Sequence, residues 1–404
     1  MGTTMTETLG RLTLNADPAA YLLSIPTLKN NLSSITDAFK SLYPAFSLAY
    51  SFKTNYLKAI CDTVFEEGHM AEVVSPAEYD YARTLGFPAN RIVYNGVIPD
   101  AEEKFKLAAS GGYVNVDNLG EYNELAKMAM DRHKPIQLGV RVNLNVNNGI
   151  VSRFGIDPTL PEFETIMKDM LVKPYVRFRG FHTHIGSSRQ LPYWKEKIDA
   201  MIVLAKEYGA SYIDLGGGMF GQMPPYLSKQ FNGYVSSFEA YAEVVAKAMA
   251  EAFPDGNVDL ILEPGTAAVG NTMCVAAKVT NIKYARGKTF ITVGCCSNHI
   301  GMLCDCRDIP CEVYQNPHIT EDRIPVSDAI IAGPTCLEFD YIKKGFSGSI
   351  LPGDIIVFEN CGAYSISASR QFIVPRLPVY SAEDGKLLLR AETSSDMLGK
   401  YYFC

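Results

Sequence analysis

The sequence predicts an α/β protein: a (β/α)8 TIM barrel with a second, C-terminal all-β domain. Two observations lead to this fold class. From about residue 46 to residue 263, eight short apolar runs alternate with longer segments of helical periodicity. After about residue 271 the pattern changes to strand-like runs separated by Gly, Pro and Asp turns. Eight strand–helix units favour a closed barrel over an open doubly wound sheet.

The eight apolar runs are the predicted barrel strands. They are FSLAYSF (46–52), AEVV (71–74), RIVY (91–94), YVNV (113–116), QLGVRV (137–142), RFRGFHTHI (177–185), YIDL (212–215) and VDLILE (258–263). Several of the helical segments between them open on an N-cap type residue, such as Ser75 or Asn118. An earlier strand-like run, AYLLSI (20–25), is expected to join the β domain. We therefore expect an N-terminal segment over 1–30 that contributes to the β domain, a barrel over 31–270 and the β domain over 271–404.

Composition and charge exclude several classes of protein. The chain has 404 residues, 47% of them hydrophobic, which allows a large core and more than one structural unit. Its formal charge is −7 and its Lys and Arg residues form no basic run, so we expect no nucleic-acid partner. The sequence has no N-terminal export signal and no run of about eighteen uncharged apolar residues. We therefore expect a cytoplasmic protein that does not enter a membrane.

The ten cysteines allow two interpretations. In a chain of this size without an export signal, reduced thiols are favoured over a disulfide framework. Four residues, His299, Cys304, Cys306 and Cys311, lie close enough in sequence to suggest a zinc site. Their spacing, H-x4-C-x-C-x4-C, is not a common pattern of structural zinc, so we expect ordinary thiols and no metal, with zinc as the open alternative.

The residues at the ends of four predicted strands form an unusual combination of charged, aromatic and glycine residues. In an α/β barrel the carboxyl ends of the strands meet at one face, where the chemistry gathers. Lys53 follows the first run, His184 lies near the end of the sixth, Gly216, Gly217 and Gly218 follow the seventh, and Glu263 ends the eighth. Each residue type alone is common at a strand end. Their combination is the basis of the prediction that follows.

This set matches the needs of pyridoxal 5'-phosphate. Its aldehyde requires a lysine amine for a Schiff base. Its phosphate requires backbone N–H groups that can approach closely, which the three glycines of DLGGGMF allow. Its pyridine nitrogen requires a carboxylate that keeps it protonated, and Glu263 fits that role. We therefore expect a pyridoxal phosphate site at this face of the barrel.

The sequence resembles a known family at this point. It is similar to the alanine racemase-fold decarboxylases, the fold type III pyridoxal enzymes of the diaminopimelate and ornithine decarboxylase group. The resemblance covers almost the whole chain, in family order. Its motifs are YSFKTN, EVVSPAEY, NVDNLGE, RVN, SRFGI, GFHTHIGSS, DLGGGMF, EPGT, GPTCLEFD and ENCGAYSIS.

The resemblance implies roles for individual residues. Lys53 corresponds to the Schiff-base lysine, His184 to the residue stacked on the cofactor ring and Glu263 to the partner of the pyridine nitrogen. The implied cofactor-binding set further contains Ser187, Gly216, Gly217, Gly218, Gly265, Thr266 and Tyr364. Cys336 corresponds to the family cysteine that protonates the reaction intermediate from across a dimer interface. The family builds each active site from two subunits, which implies an obligate homodimer.

Glu263 favours decarboxylation over racemisation. Racemases with this barrel place an arginine beside the pyridine nitrogen, which leaves the ring a weak electron sink. A carboxylate instead keeps the proton on the ring and favours loss of the substrate's α-carboxyl group. The resemblance and Glu263 together imply a pyridoxal-dependent amino acid decarboxylase, with Cys336 as the acid that protonates Cα.

Three departures from the family pattern concern the far end of the substrate. Thr266 stands where the family motif EPGR has an arginine, and Met302 replaces a second family arginine. The acidic residue that usually follows the family cysteine is Leu337 here, and Glu338 comes one position late. Because these positions bear on the distal part of the substrate, we include Leu337 and Glu338 among the expected substrate-binding residues.

We expect a substrate other than diaminopimelate, such as a specialised-metabolite, siderophore or polyamine precursor. Arg307, and also Arg189, could supply a compensating cation, and we count Arg307 as an expected substrate-binding residue. Two alternatives remain open at this point. The chain could be a diaminopimelate decarboxylase of lysine biosynthesis, or a non-catalytic decarboxylase-like regulator.

Overall fold

The chain divides into two compact units. The computed structural model describes residues 17–146, 149–370 and 372–401. The barrel unit comprises Lys29–Gly221 and Tyr234–Ala268, and the β-rich unit comprises the described chain up to Leu28, Gln222–Gly233 and the described chain from Val269 onward. The barrel range expected from the sequence, 31–270, thus includes Gln222–Gly233, which the structure groups with the β-rich unit.

Eight parallel strands close into a barrel. Numbered along the chain, strand β1 (Ala19–Leu23) and helix α1 (Ile25–Lys40) precede them. The barrel strands are β2 (Phe46–Ser51), β3 (Met70–Val73), β4 (Ile92–Tyr94), β5 (Tyr113–Val116), β6 (Ile136–Arg141), β7 (Val176–His182), β8 (Tyr212–Asp214) and β9 (Asp259–Leu262). Each strand pairs with the next, and β9 pairs with β2, so that Phe46 lies opposite Leu260. The predicted eight-stranded barrel is confirmed.

Helices alternate with the barrel strands, as the periodicity predicts. Along the chain they are α2 (Lys58–Glu66), α3 (Pro76–Thr84), α4 (Ala101–Ala109), α5 (Leu119–Asp131), α6 (Pro161–Val172), α7 (Leu191–Tyr208), α8 (Pro225–Ser228), α9 (Phe238–Ala252) and α10 (Thr266–Val269). Both N-caps predicted from the sequence form. The Ser75 hydroxyl accepts from the Glu78 N–H at 3.2 Å, and the Asn118 side-chain oxygen Oδ1 accepts from the Glu121 N–H at 2.9 Å.

The β-rich unit is built on one sheet that the first strand of the chain joins. Its later elements are β10 (Met273–Ala285), β11 (Lys288–Val293), α11 (Ser297–Ile300), β12 (Cys311–Tyr314), β13 (Ile324–Ala332), β14 (Tyr341–Ile350), β15 (Ile355–Phe358), β16 (Val379–Ser381), β17 (Leu387–Leu389) and α12 (Ser394–Leu398). The sheet order is β14-β13-β11-β10-β1-β16-β17, and β15 pairs with both β10 and β12. Since β1 pairs antiparallel with β10, the predicted return of the N-terminal strand is confirmed.

The nine cysteines among the described residues are all free thiols, in agreement with the sequence analysis. The suggested zinc ligand His299 is part of a local turn, because its Nδ1 accepts a hydrogen bond from the Cys296 N–H at 3.2 Å. Within the described ranges, the one group of three potential metal ligands is His182, Asp214 and Glu263, whose ligand atoms lie within 4.8 Å of one another. No helix in these ranges is long and apolar enough to cross a membrane.

A chain of buried polar side chains crosses the interior of the barrel. The Tyr212 hydroxyl donates to Asn115 Oδ1, and Asn115 Nδ2 donates to Asn95 Oδ1 at 2.7 Å. Asn95 Nδ2 in turn donates to Glu263 Oε1. Gly139 makes room for this chain, because a Cβ atom there would lie 1.9 Å from the Tyr212 hydroxyl. The barrel core therefore carries a hydrogen-bonded path that ends on Glu263.

Two buried carboxyl groups, Asp214 and Glu263, meet at the end of this path and titrate in opposite directions. Burial raises the pKa of Asp214 well above its usual value, and the nearby Glu263 charge adds to the rise. Burial alone would also raise the pKa of Glu263, but His182 and the positive charge of Lys53 outweigh it and lower that pKa. Asp214 is therefore protonated and Glu263 ionised at neutral pH.

The pKa of Asp214 makes the stability of the protein depend on pH. Above about pH 4 the unfolded chain loses this proton while the folded chain keeps it, so this residue lowers the free energy of unfolding as pH rises. Asp214→Asn removes the titration and preserves an acceptor for the Gly216 N–H, which Asp214 Oδ1 binds at 2.9 Å. We expect the variant to gain stability relative to the parent progressively as pH rises above about 4.

Urea denaturation at several pH values measures this difference. The control is Asp255→Asn, which changes an exposed residue in a turn of the barrel unit. The difference in unfolding free energy between this variant and the parent should not vary with pH as it does for Asp214→Asn. Parallel stability curves for the parent and Asp214→Asn would show that Asp214 is already ionised in the folded protein.

Candidate active site

The carboxyl ends of the barrel strands surround a cavity of about 310 Å³. It brings together Lys53, His184 and Glu263, three of the residues singled out in the sequence. The full lining is Lys53, Glu72, Val74, Asn95, Gly96, Val97, Ile98, Arg141, Arg153, Phe154, His182, His184 and Glu263. All of these residues belong to the barrel unit. The cavity thus combines an amine, a carboxylate and imidazole groups at the face where barrel enzymes carry their chemistry.

Lys53 reaches into this cavity from a short 3-10 turn, Phe52–Thr54, directly after β2. Its Nζ lies 2.5 Å from Glu72 Oε2, and the Ser51 hydroxyl donates to the same carboxylate oxygen. Glu72 is 1% exposed and Lys53 about one-third exposed. The buried carboxylate therefore holds the amine at the barrel end and offers a nearby acceptor for its proton. Sequence reasoning missed Glu72, although an acidic residue inside the apolar strand MAEV was a usable signal.

Glu263 is fixed from two sides. Asn95 Nδ2 donates to one carboxylate oxygen, and His182 Nε2 lies 3.4 Å from the other. Burial lowers the pKa of His182, so we assign it the neutral tautomer that donates from Nε2. Neither Asn95 nor His182 was assigned a role from the sequence. Both lie at the ends of predicted strands, which is the signal that could have identified them.

The glycine loop, residues 215–218, follows β8 and is tightly held. Gly216 and Gly218 have φ values of +66° and +101°, which favour glycine. A Cβ atom on Gly217 would lie 2.5 Å from the Glu263 carbonyl oxygen. The Gly217 N–H donates to His184 Nδ1 at 3.0 Å and the Gly216 N–H to Asp214. Among the described residues no acceptor binds the N–H of half-buried Gly218, so it is available to an anion.

His184 is held as a neutral ring. Burial lowers its pKa to about 3, and the charge of Lys53 acts in the same direction. A neutral Nδ1 is consistent with the hydrogen bond that it accepts from the Gly217 N–H. The imidazole is thereby oriented by the loop and presents its ring to the cavity.

The other predicted cofactor ligands of the barrel unit lie on short turns. Ser187 is exposed and has a φ of +63°. Gly265 packs against Thr54, whose Oγ1 would lie 2.0 Å from an added Cβ atom. Thr266 is half-buried and begins the short helix α10. These turns contribute hydroxyl and backbone groups but no cation.

The remaining predicted residues belong to the β-rich unit. Cys336, Leu337 and Glu338 are exposed on the connection between β13 and β14. The Arg307 guanidinium lies 4.6 Å from the Phe231 ring and forms no ion pair with the described residues. Tyr364 adopts a φ of +59° in the segment after β15. Their predicted contacts with cofactor or substrate remain predictions.

The barrel cavity meets three requirements of pyridoxal phosphate. Lys53 supplies an amine at a strand end, and half-buried Gly218, on the loop that holds His184, offers an available N–H for the phosphate. Glu263 supplies an ionised carboxylate deep in the cavity for the pyridine nitrogen. The amine, the ionised carboxylate and the open backbone of Gly218 therefore fit this cofactor.

Comparisons with known proteins agree with this chemistry. Residues 29–270 match the family model described as "Pyridoxal-dependent decarboxylase, pyridoxal binding domain". The chain is 26% identical to a diaminopimelate decarboxylase of Methanocaldococcus jannaschii, over 94% of this chain and 90% of that protein. It is 25% identical to one of Neisseria meningitidis, over 95% and 97%.

Solved structures share the fold of the chain. A crystal structure of the M. jannaschii diaminopimelate decarboxylase aligns with a TM-score of 0.82 at 24% identity, covering 95% of this chain and 92% of that one. A lysine/ornithine decarboxylase from Vibrio vulnificus complexed with cadaverine aligns with a TM-score of 0.73 at 19% identity, covering 90% and 94%. At these identities the structural likeness establishes the fold alone. Together with the family match, it shows that the chain belongs to the pyridoxal-dependent decarboxylases, fold type III enzymes that act on amino acids.

Proposed function

We propose that the enzyme removes the α-carboxylate of an amino acid whose distal end differs from that of meso-diaminopimelate. A precursor of a specialised metabolite, a siderophore or a polyamine is such a substrate. The observation that carries the proposal is the absence of a cation from the sequence at positions 266 and 302, which hold Thr and Met. Leu337, which is 45% exposed, adds an apolar side chain where an acidic residue was expected.

Side chains at other positions must therefore bind the distal group of the substrate. Arg307 has its guanidinium against Phe231 and is a candidate for binding an anionic group. Glu338, one position after Leu337, is a candidate for a distal ammonium. The names of the relatives favour a second function, decarboxylation of diaminopimelate itself. The two candidates differ in substrate and not in cofactor.

Pyridoxal phosphate, when bound, supplies a conjugated ring that accepts the electron pair released at Cα as carbon dioxide leaves. We propose that Lys53 attaches the cofactor covalently and that Glu72 accepts the proton its ammonium must lose, since the two groups lie 2.5 Å apart. Glu263 would hold a proton on the ring nitrogen, because Asn95 and His182 keep this carboxylate ionised and oriented. His184 would face the ring, fixed by its bond to Gly217.

Cys336 is our candidate for the acid that protonates Cα. It is exposed on a connection that buried Asp340 organises, by accepting from the Thr335 hydroxyl at 2.6 Å and from the Ser297 N–H at 2.8 Å. An exposed thiol on an organised loop fits presentation to a second copy of the chain. We therefore propose a homodimer with shared active sites, located in the cytoplasm, where free thiols persist.

The substrate proposal predicts weak activity on meso-diaminopimelate. Two missing charge-assisted contacts, each worth at least about 1.5 kcal/mol, should lower kcat/KM by at least about 100-fold relative to another diamino acid that the enzyme accepts. Carbon dioxide release across a panel of free and conjugated diamino acids measures this ratio. Thr266→Arg is the matched variant, and it should raise activity on diaminopimelate specifically. If meso-diaminopimelate is the best substrate of the panel, the enzyme is a diaminopimelate decarboxylase and the proposal is wrong.

The acid proposal predicts altered products for Cys336→Ala. Because the variant lacks the proton donor at Cα, amine formation should fall by about 100-fold or more, and abortive, transamination-like turnover should rise. Product analysis by chromatography, together with carbon dioxide release, separates the two outcomes. Cys306→Ala, which removes another exposed thiol of the β-rich unit, is the control. Clean amine formation at the parental rate by Cys336→Ala would exclude this cysteine as the acid.

A further inference from the structure

A lysine lies on the buried face of helix α7. The buried residues of this helix include Trp194, Lys197, Ile198 and Met201, at the spacing of an inward-facing stripe. Lys197 is 0% exposed, although lysine is almost never fully buried without a charged partner. None of the steps described above uses this residue.

The Lys197 ammonium contacts the glycine loop directly. Its Nζ donates to the Leu215 carbonyl at 3.2 Å and lies 3.7 Å from the centre of the Trp194 indole. No carboxylate of the described residues lies within ion-pair distance of it. The carbonyl that it binds is three residues before Gly218, whose N–H is available to an anion. Lys197 thus binds Leu215, the first residue of the glycine loop, from helix α7.

Lys197 is also the one cation bonded to this loop within the described residues. Neither the loop, 215–218, nor the neighbouring turn, 263–266, contains a Lys or Arg. Burial lowers the pKa of Lys197 to about 7, while the negative charge of Glu263 acts in the opposite direction. A group balanced between its charged and neutral forms responds strongly to a new charge. A dianion placed at the loop would draw Lys197 into its ammonium form.

We propose that Lys197 is a positioning residue for the cofactor phosphate: it anchors the glycine loop through Leu215 and supplies the buried positive charge that this loop lacks. The inference rests on the proposed placement of the phosphate at the glycine loop. It is independent of the substrate proposal. The Lys197 side chain itself belongs to helix α7 of the barrel unit and does not line the cavity.

The test compares two ligands that differ only in the phosphate. The dissociation constants of pyridoxal 5'-phosphate and of pyridoxal are measured by absorbance titration of cofactor-stripped protein. Lys197→Met replaces the ammonium by an apolar group of similar length, and Lys197→Gln replaces it by a neutral polar one. We expect both variants to lose about tenfold or more in the preference for the phosphorylated ligand, the scale expected for a buried charge acting on a phosphate dianion. Pyridoxal affinity should change little.

The ratio of the two constants separates this role from a structural one, because a damaged fold would weaken both ligands alike. Lys195→Met is the control, since Lys195 lies on the same helix but is exposed and pairs with Asp199. Gly218→Ala, which strains a residue at φ +101°, tests the loop itself. If Gly218→Ala lowers the ratio and both Lys197 variants leave it unchanged, Lys197 has no role toward the phosphate. If all three variants leave the ratio unchanged, the phosphate does not bind at this loop and the inference fails with that placement.

Discussion

An ionised carboxylate inside the barrel is the constraint on which the site depends. Glu263 is 3% exposed, and a buried charge of this kind persists only where partners satisfy it. Asn95 and His182 bind its two oxygens, and Asp214 keeps a proton beside it. The path from Tyr212 through Asn115 fixes Asn95 in turn. Much of the polar interior of the barrel therefore serves to hold one negative charge in place.

The same constraint links the elements that we propose to face the cofactor. The Glu263 N–H donates to the Gly216 carbonyl at 3.0 Å, so the carboxylate strand and the glycine loop are joined through their backbones. The loop orients His184 through the Gly217 N–H, and Lys197 supports its first residue. Lys53 enters from a different strand and is held by Glu72. The groups proposed for ring, phosphate and aldehyde are thus positioned by hydrogen bonds among strand ends, whereas Ser187, Gly265 and Thr266 lie on short turns.

Sequence patterns predicted what depends on local periodicity and composition. Eight apolar runs became the eight strands, and Lys53, His184 and Glu263 met in one cavity because parallel strands end at one face. Glu72, Asp214 and Lys197 were missed: a charged residue in an apolar stripe marks an unusual position, but the sequence does not identify the partner that it binds in the fold. Gln222–Gly233 was assigned to the barrel because no change of composition marks it. Contacts across the fold decide such cases, and single-sequence patterns do not record them.

The role of Glu263 is the most direct point to test: we expect this carboxylate to keep the pyridine nitrogen of the bound cofactor protonated. Nitrogen-15 NMR of the enzyme reconstituted with ring-labelled pyridoxal phosphate measures that proton directly. We expect the chemical shift of a protonated nitrogen in the parent near neutral pH, and that of an unprotonated nitrogen in Glu263→Gln. An unprotonated nitrogen in the parent would contradict the claim, and with it the role assigned to the buried carboxylate.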